Sequence, residues 1–438
     1  MSIEKKFQRA YQSLESCIER RSRENKYTAM GYTSNLDLLC DFRVERLNEL
    51  LAEHMSGRKL SEMKIAKNIR TMEELLETVV YYCMHGIGGE ADVEDAELVR
   101  TSFPFKNGMG GTAVQAALAL AEIGGEALVH LTDDSEEVCE LLKSPYIHVA
   151  LEDGRLGHTD EVVSRNPQEI HFIVQFKKGD VIRLEGQTAE IPCSNRVILT
   201  KNTVNEYVPF WDPYFRWIEQ NAERVSSNVL SSFNSILDTE VLKERLEYVK
   251  RHVRVYRQNN PEGIVYFEDA HYHDADVRRL CVETLSPWVD ILSMNEEELQ
   301  YTLKEMYDYE VDINDIYSCV EGVEFLLQRF GIRKGIIVHT KDYAMFVGDP
   351  GNIDIESGLM YGTLMATAKA ANGDYGSREQ IQEVLKFDMS DKGMWNLRRL
   401  EGSPYEKRVV LVPTKYIDKP KYTIGLGDSF TGGVQMCF

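Results

Sequence analysis

NVLSSF (228–233), GIVYFE (263–268), VDILSMN (289–295) and KGIIVHT (334–340) are four apolar runs of strand length. Each follows a stretch with helical spacing of apolar residues, at 213–224, 238–258, 274–285 and 312–331. Helix-then-strand units in succession specify a doubly wound, mostly parallel sheet with helices on both faces, because parallel neighbours need a crossover and that crossover covers a face. Continuous apolarity within each run fits strands buried on both sides. In such sheets ligands bind beyond the carboxyl ends of the strands. The polar residues ending these runs are therefore the first candidates for a site: Asn234, Glu268, Asn295, His339 and Thr340.

Working outward, residues 4–24 read as an amphipathic helix through Phe7, Tyr11, Leu14 and Ile18. A single strand-like run follows over 27–40, then helices at 43–55 and 61–83. GIGGE (86–90) and FPFKNGMGG (103–111) read as turn segments around a short helix. TAVQAALALAEIGG (112–125) reads as a small-residue helix closed by glycines, and EALVHLT (126–132) as a buried strand. Between 160 and 204 the rhythm changes to short strands broken by turns, which predicts hairpins forming a β-rich lid on the sheet.

Charge narrows the partners. With 50 Lys+Arg against 71 Asp+Glu the net charge is −21, a field that repels nucleic-acid backbones and anionic lipid. Anionic nucleotides stay admissible, since a helix terminus with Mg²⁺ overrides the net field locally. The eight cysteines form no CxxC and share no metal-ligand spacing with histidine, as expected of free thiols in a reducing cytoplasm. The first 25 residues carry no apolar signal-peptide core, and no run approaches membrane-spanning length.

The densest local signal is TIGLGDSFTGG (423–433). Gly425 and Gly427 let the chain turn tightly, so that successive N–H groups face an incoming phosphate at the head of a helix. Asp428 in the first turn can accept a proton from a hydroxyl held in line. The same pattern also serves as a plain helix cap. The helix that follows spans barely three turns, about 15 Å at 1.5 Å per residue, and is expected to pack weakly.

This segment resembles the ribokinase-like signature G-[AL]-G-D-[ST]-F. More narrowly, VPTKYIDKPKYTIGLGDSF (412–430) is similar to ADP-dependent sugar kinases, the glucokinases and phosphofructokinases that use ADP as phosphoryl donor. The resemblance implies a ribokinase-like αβα sandwich with a smaller lid. It implies Asp428 as catalytic base and Gly425, Leu426 and Gly427 as the anion hole. SMNEEELQ (293–300) matches the family's N-x-x-E, which makes Asn295 and Glu298 candidates for Mg²⁺; read alone, they are also a helix-capping pair. VYFEDA (265–270) matches the family's H-x-E with Tyr266 in place of His and Glu268 as the metal-assisting carboxylate.

On the acceptor side, GYTSNLDLL (31–39) implies Asn35 and Asp37 on sugar hydroxyls, and GMGGTAVQAA (108–117) implies backbone approach at Gly110 and Gly111. IHFIVQF (170–176) implies His171 from a lid strand, with Gln175 where the family has an acid. SSFNSI (231–236) implies Asn234, with Ser232 where the family has Gly. On the donor side VHTKDYA (338–344) implies His339 and Thr340 near adenine. The matches run in family order over 31–433, and the chain has no P-loop Gly-Lys-Ser/Thr.

The expected layout is a large α/β domain built from 1–35, 111–159 and 205–438, with lid insertions at 36–110 and 160–204. The expected activity is Mg²⁺-dependent phosphoryl transfer from ADP to a hexose or hexose phosphate (glucose or fructose 6-phosphate). Lys106, Lys177, Lys178, Arg196 and Lys201 are candidates for a sugar phosphate. The alternatives are an ATP-dependent carbohydrate kinase and, given Tyr266, Gln175 and Ser232, a silent sugar or nucleotide sensor.

Overall fold

The computed structural model describes residues 1–272 and 274–438. Ten strands form one large sheet, in the spatial order Val409–Pro413, Tyr343–Gly348, Gly335–His339, Ile291–Asn295, Ile264–Glu268, Val225–Leu230, Tyr27–Met30, Ala127–Val129, Ile147–Ala150 and Leu156–Gly157. The seven strands from Gly335–His339 to Ile147–Ala150 are parallel to their neighbours, and the edge strands are antiparallel. This is the doubly wound sheet that the four apolar runs specify.

Successive residues of these strands feed two different cores. Val265 and Phe267 pack with the helices Asp212–Gln220, Thr239–Asn259, Ala275–Leu285 and Ile316–Phe330 on one face. Ile264 and Tyr266 pack on the other, with Ile3–Arg23, Thr112–Glu122 and Ile355–Asn372. Glu268, two residues beyond Tyr266, therefore projects to that second face. There it meets the helix Leu426–Val434 through a 2.8 Å hydrogen bond donated by Thr431 Oγ1.

The strand order reverses beside Tyr27–Met30. One path of the chain leads from it through Val225–Leu230 toward Gly335–His339, the other through Ala127–Val129 toward Ile147–Ala150. A cleft opens where the connections diverge.

A second sheet has six strands, ordered Asn68–Ile69, Gly89–Val93, Asn195–Lys201, Ile170–Phe176, Asn35–Cys40 and Phe105–Gly110. The run expected as one strand over 27–40 is thus two strands in two sheets, separated at 31–34, where buried Thr33 and Ser34 turn the chain out of the large sheet. FPFKNGMGG, expected as turn, holds the strand Phe105–Gly110. Its glycines are tolerated because it is an edge strand paired to Asn35–Cys40, where Gly110 leaves room for the Asn35 and Asp37 side chains. The helix expected over 61–83 begins only at Met72, behind the Thr71–Glu74 capping box. The expected simple hairpins are more entangled: Ile170–Phe176 pairs with Asn195–Lys201 and Asn35–Cys40, while Val181–Leu184 and Gln187–Glu190 pair only with each other. Among the described residues no helix is long and apolar enough to cross a membrane.

The short helix Leu426–Val434 corrects the expectation of weak packing. Residues Ser429–Val434 are buried, wedged between Thr112–Glu122 and Ile355–Asn372. A Cβ on Gly433 would lie 2.7 Å from the backbone of Gly362, and one on Gly432 would lie 2.5 Å from the Ala116 carbonyl oxygen. Backbone meets backbone here, so few contacts hold the helix firmly. Gly433→Ala is expected to cost about 1–3 kcal/mol of stability through overpacking, whereas Gly427→Ala, whose Cβ would find only His339 Cε1 at 3.3 Å, should stay near neutral; denaturant unfolding of the two variants checks the contrast.

Candidate active site

Two cavities open at the carboxyl ends of the large sheet's strands, the first beside the reversal point and the second beyond Ile291–Asn295 and Gly335–His339. One, of about 330 Å³, is lined by Asn35, Asp37, Gly110, Gly111, His171, Ser232 and Asn234. All six acceptor-side residues expected from sequence therefore share one space. The other, of about 540 Å³, is lined by Asn295, His339, Thr340, Leu426 and Gly427, with Thr367, Ala370, Tyr416 and Phe430. Both donor-side residues and part of the glycine loop meet there.

In the first cavity Asn35 Nδ2 donates to Asp37 Oδ1 at 2.7 Å and lies 3.1 Å from His171 Nδ1. His171 stands between Asp37 and Glu169, 3.6 and 3.7 Å away. Burial alone would lower its pKa, but the neighbouring carboxylates of Glu169 and Asp37 outweigh burial and raise it. Burial raises the Asp37 carboxyl, with His171 the main opposing charge. Asn234 Nδ2 donates to the His271 carbonyl at 3.0 Å, which orients its amide at the cavity wall. Ser232 is left-handed, with φ 65°, so the position where the resembling family has glycine does require that backbone region. Gln175 is exposed and lines an adjoining groove with Lys177 and Arg196.

The two cavities share an unusual feature. The helices Thr112–Glu122 and Leu426–Val434 are headed by Gly111 and Gly425, both at positive φ and neither with a side-chain cap. The first amides of a helix have no intrahelical acceptor, so these two ends present free N–H groups and the positive pole of the dipole. Several other helices are closed by their own side chains, such as Asp238 and Asp274, while those headed by Arg43, Ser135 and Trp211 lack both a cap and a glycine.

Asp428 lies in the first turn of the second of these helices. It retains partial exposure, and the charges of Lys369, Glu268, Asp37 and His339 all bear on it. Burial pushes its carboxyl up to about 7, against the pull of Lys369, with Glu268 and Asp37 pushing further. A carboxyl so tuned can hold or release a proton near neutrality.

Behind the second cavity, Glu268 Oε1 is 3.2 Å from His339 Nε2. Glu298 takes the Asn295 N–H at 2.8 Å, and Asn295 Oδ1 takes the Glu298 N–H at 2.8 Å. The capping reading of N-x-x-E thus holds in this structure, and Glu298 still has charge to share. Burial and the neighbouring Asp269 raise its carboxyl to about 7. Asp269 is a residue the sequence reading passed over; it pairs with the buried Arg278 and keeps Oδ1 buried without a partner. Tyr266 is fully buried in the sheet, too deep to stand in for a polar histidine at the surface of the site. Thr340 Oγ1 is spent on the local turn, donating to the Tyr343 carbonyl at 3.0 Å. Sequence reasoning also missed Glu90, Asp92 and Glu169 in the first cavity, and Gln115. Glu169 was within reach of the strand alternation, two residues before His171.

The description "ADP-specific Phosphofructokinase/Glucokinase conserved region" matches residues 26–434. The chain belongs to this family. An ADP-dependent glucose/glucosamine kinase of Pyrococcus abyssi is 25% identical over 429 residues, 93% of each chain. An ADP-specific phosphofructokinase of Thermococcus kodakarensis is 25% identical over 350 residues, covering 74% of this chain and 75% of that one. The solved structure of the last common ancestor of ADP-dependent phosphofructokinases from Methanosarcinales superposes with a TM-score of 0.83 at 20% identity, covering 100% of this chain and 98% of that one, so the fold is shared. In this family member the electrostatics are directly measurable. His171 and His339 are expected to titrate above the usual imidazole value of about 6.5, followed by histidine side-chain NMR. Glu268→Gln should lower the His339 midpoint and leave His171 in place.

Proposed function

We propose that the protein is an ADP-dependent sugar kinase in which Asp428 deprotonates an acceptor hydroxyl and the 425–427 amides hold the migrating phosphoryl group. The observation that carries this reading is the uncapped, glycine-headed helix with Asp428 in its first turn, whose Leu426 and Gly427 line the second cavity and whose Asp428 interacts with the charge of Asp37 of the first. Its free amides suit the charge that develops on equatorial phosphoryl oxygens. Asp428, with a proton affinity near neutrality, suits a hydroxyl proton. A diphosphate donor is favoured by membership of an ADP-specific family.

The acceptor side supports a hexose. Asp37 and His171 offer acceptor and donor groups to vicinal hydroxyls, and Gly110, which makes room for the Asn35 and Asp37 side chains, lines the same wall with Gly111. Asp37, Glu90, Asp92, Glu169 and Glu206 all line this cavity, with His171 the facing cation. Such a wall repels a phosphate and favours an unphosphorylated sugar such as glucose. Fructose 6-phosphate is a second reading, supported by Lys177 and Arg196 in the adjoining groove. Lys201 is turned away to the Glu94 carbonyl, and Lys106 and Lys178 line neither space.

Glu298 and Glu268 fit a magnesium ion. Both are hard oxygen donors, crowded with Asp269 so that Glu298 resists ionisation, and a divalent cation relieves that repulsion. Among the described residues no group of three or more such side chains forms a complete cage. That suits an ion shared with nucleotide phosphates and water. When bound, it would neutralise phosphate charge. The eight unpaired cysteines support a reducing, cytoplasmic setting.

A coupled assay of ADP and ATP against glucose and fructose 6-phosphate tests the reading. Turnover with ADP and glucose is expected, with kcat lowered about 10²–10⁴-fold in Asp428→Asn; ligand binding without turnover in the wild type would instead identify a sensor. The log of kcat/KM should decline as pH falls through about 7, where Asp428 becomes protonated. EDTA should abolish turnover and excess Mg²⁺ restore it.

A further inference from the structure

Lys369 lies in the last turn of the helix Ile355–Asn372, where a basic residue ordinarily points to solvent and faces the negative pole of the dipole. This lysine does not. It is 3% exposed and runs beneath the Gly425 turn. Its Nζ is 3.4 Å from Gln115 Oε1 and 3.7 Å from the centre of the Tyr375 ring. The Tyr375 hydroxyl donates to the same Gln115 oxygen at 3.2 Å. A Cβ on Gly425 would lie 2.9 Å from Lys369 Nζ and 3.2 Å from Asp428 Oδ2, so the ammonium and the carboxylate flank one glycine. Among the described residues no carboxylate comes within 4 Å of Nζ to make a contact ion pair.

An ammonium buried without a contact partner is costly, and a structural salt bridge would have closed that gap. The charges facing it are Asp428, Asp37 and Asp374, while the Tyr375 and Tyr422 rings offer their faces at 3.7 and 5.9 Å. Asp428 in turn faces Glu268, Asp37 and Tyr375 as groups that oppose its charge, and His339 and Lys369 as groups that favour it. His339 is already engaged by Glu268. Lys369 is the cation left to offset the charge of Asp428.

We propose that Lys369 is a positioning residue for phosphoryl transfer: its ammonium, held by Gln115 and Tyr375 under the Gly425 turn, keeps the Asp428 carboxylate charged and aimed at the acceptor hydroxyl. The proposal rests on the reading of Asp428 as the base. It gives a purpose to Gln115, which lines the acceptor cavity with its other side and so links sugar occupancy to the cation. It also gives a reason for glycine at 425, since any side chain would displace Lys369.

The test compares Lys369→Met and Lys369→Arg with wild type and Asp428→Asn, recording kcat and KM from pH 5.5 to about 9.5, across the range of a base tuned near neutrality, with thermal unfolding of each. In Lys369→Met the acidic limb of kcat/KM is expected to move up by about one to three pH units, with rate recovered at high pH and the KM for nucleotide little changed. Lys369→Arg, which keeps the charge, should hold the limb near its wild-type position. An unmoved limb in Lys369→Met, or an equal loss at every pH, would overturn the proposal. Should the methionine variant fail to fold, a limb displaced in Lys369→Arg overturns it and an undisplaced one supports it. A kcat near the wild-type value in Asp428→Asn would instead overturn the assignment of the base, on a separate measurement.

Discussion

Gly433 against Gly362 and Gly432 against Ala116 are the contacts on which the candidate site depends. A helix of nine residues, Leu426–Val434, has too few side chains to fix its own direction. Seating its far end backbone against backbone removes that freedom. Its near end can then stay uncapped. A helix normally stops fraying by closing its first amides with a side chain, and this one leaves them unclosed at a glycine. The loss of a cap, about 1 kcal/mol in ordinary helices, is offset by burial elsewhere along the same helix. Helix packing and the loop glycines together leave these amides available, which is what the proposed phosphoryl-binding role requires.

Much of this was legible in sequence, for identifiable reasons. Four apolar runs with polar ends announced a parallel sheet and located Asn234, Glu268, Asn295 and His339 at its carboxyl edge, because strand burial and strand termination leave strong local marks. The segment 423–433 announced a glycine-headed helix. The lid was less legible. Phe105–Gly110 is a strand made of residues that avoid strands, and it forms through pairing with Asn35–Cys40 and through the space that Gly110 leaves for Asp37. Those are long-range causes, invisible in a window of six residues. Lys369 escaped notice for the same reason. Its helix carries small residues on every side, and only the third dimension shows that it reaches Gly425 rather than solvent.

The charges of the cleft are arranged so that no single carboxylate is at ease. Asp37, Asp428, Glu268, Asp269 and Glu298 crowd the switch point, against His171, His339, Lys369 and Arg278. Burial raises Asp428 and Glu298 alike to about 7. The neighbours of the two acids nevertheless differ. Glu298 accepts the backbone N–H at the head of its own helix and is crowded by Asp269, while Asp428 interacts with the charge of Lys369 across the Gly425 turn. Under the proposed reading, it is this difference in surroundings that would separate a base from a metal-side carboxylate.

The path of the chain ties the acceptor to the lid. After Met30 the backbone leaves the large sheet, turns over four residues, and becomes the lid strand that carries Asn35 and Asp37. The other wall of the same cavity, Ser232 and Asn234, follows directly from the adjacent large-sheet strand. The first cavity therefore spans both sheets. The second is lined by Leu426 and Gly427 but by none of the second sheet's strands. Under the proposed kinase reading, an acceptor in the first cavity would bridge the two sheets, while a donor in the second would rest on the large sheet's side alone. The acceptor would then be the ligand with leverage over how the sheets close and exclude water.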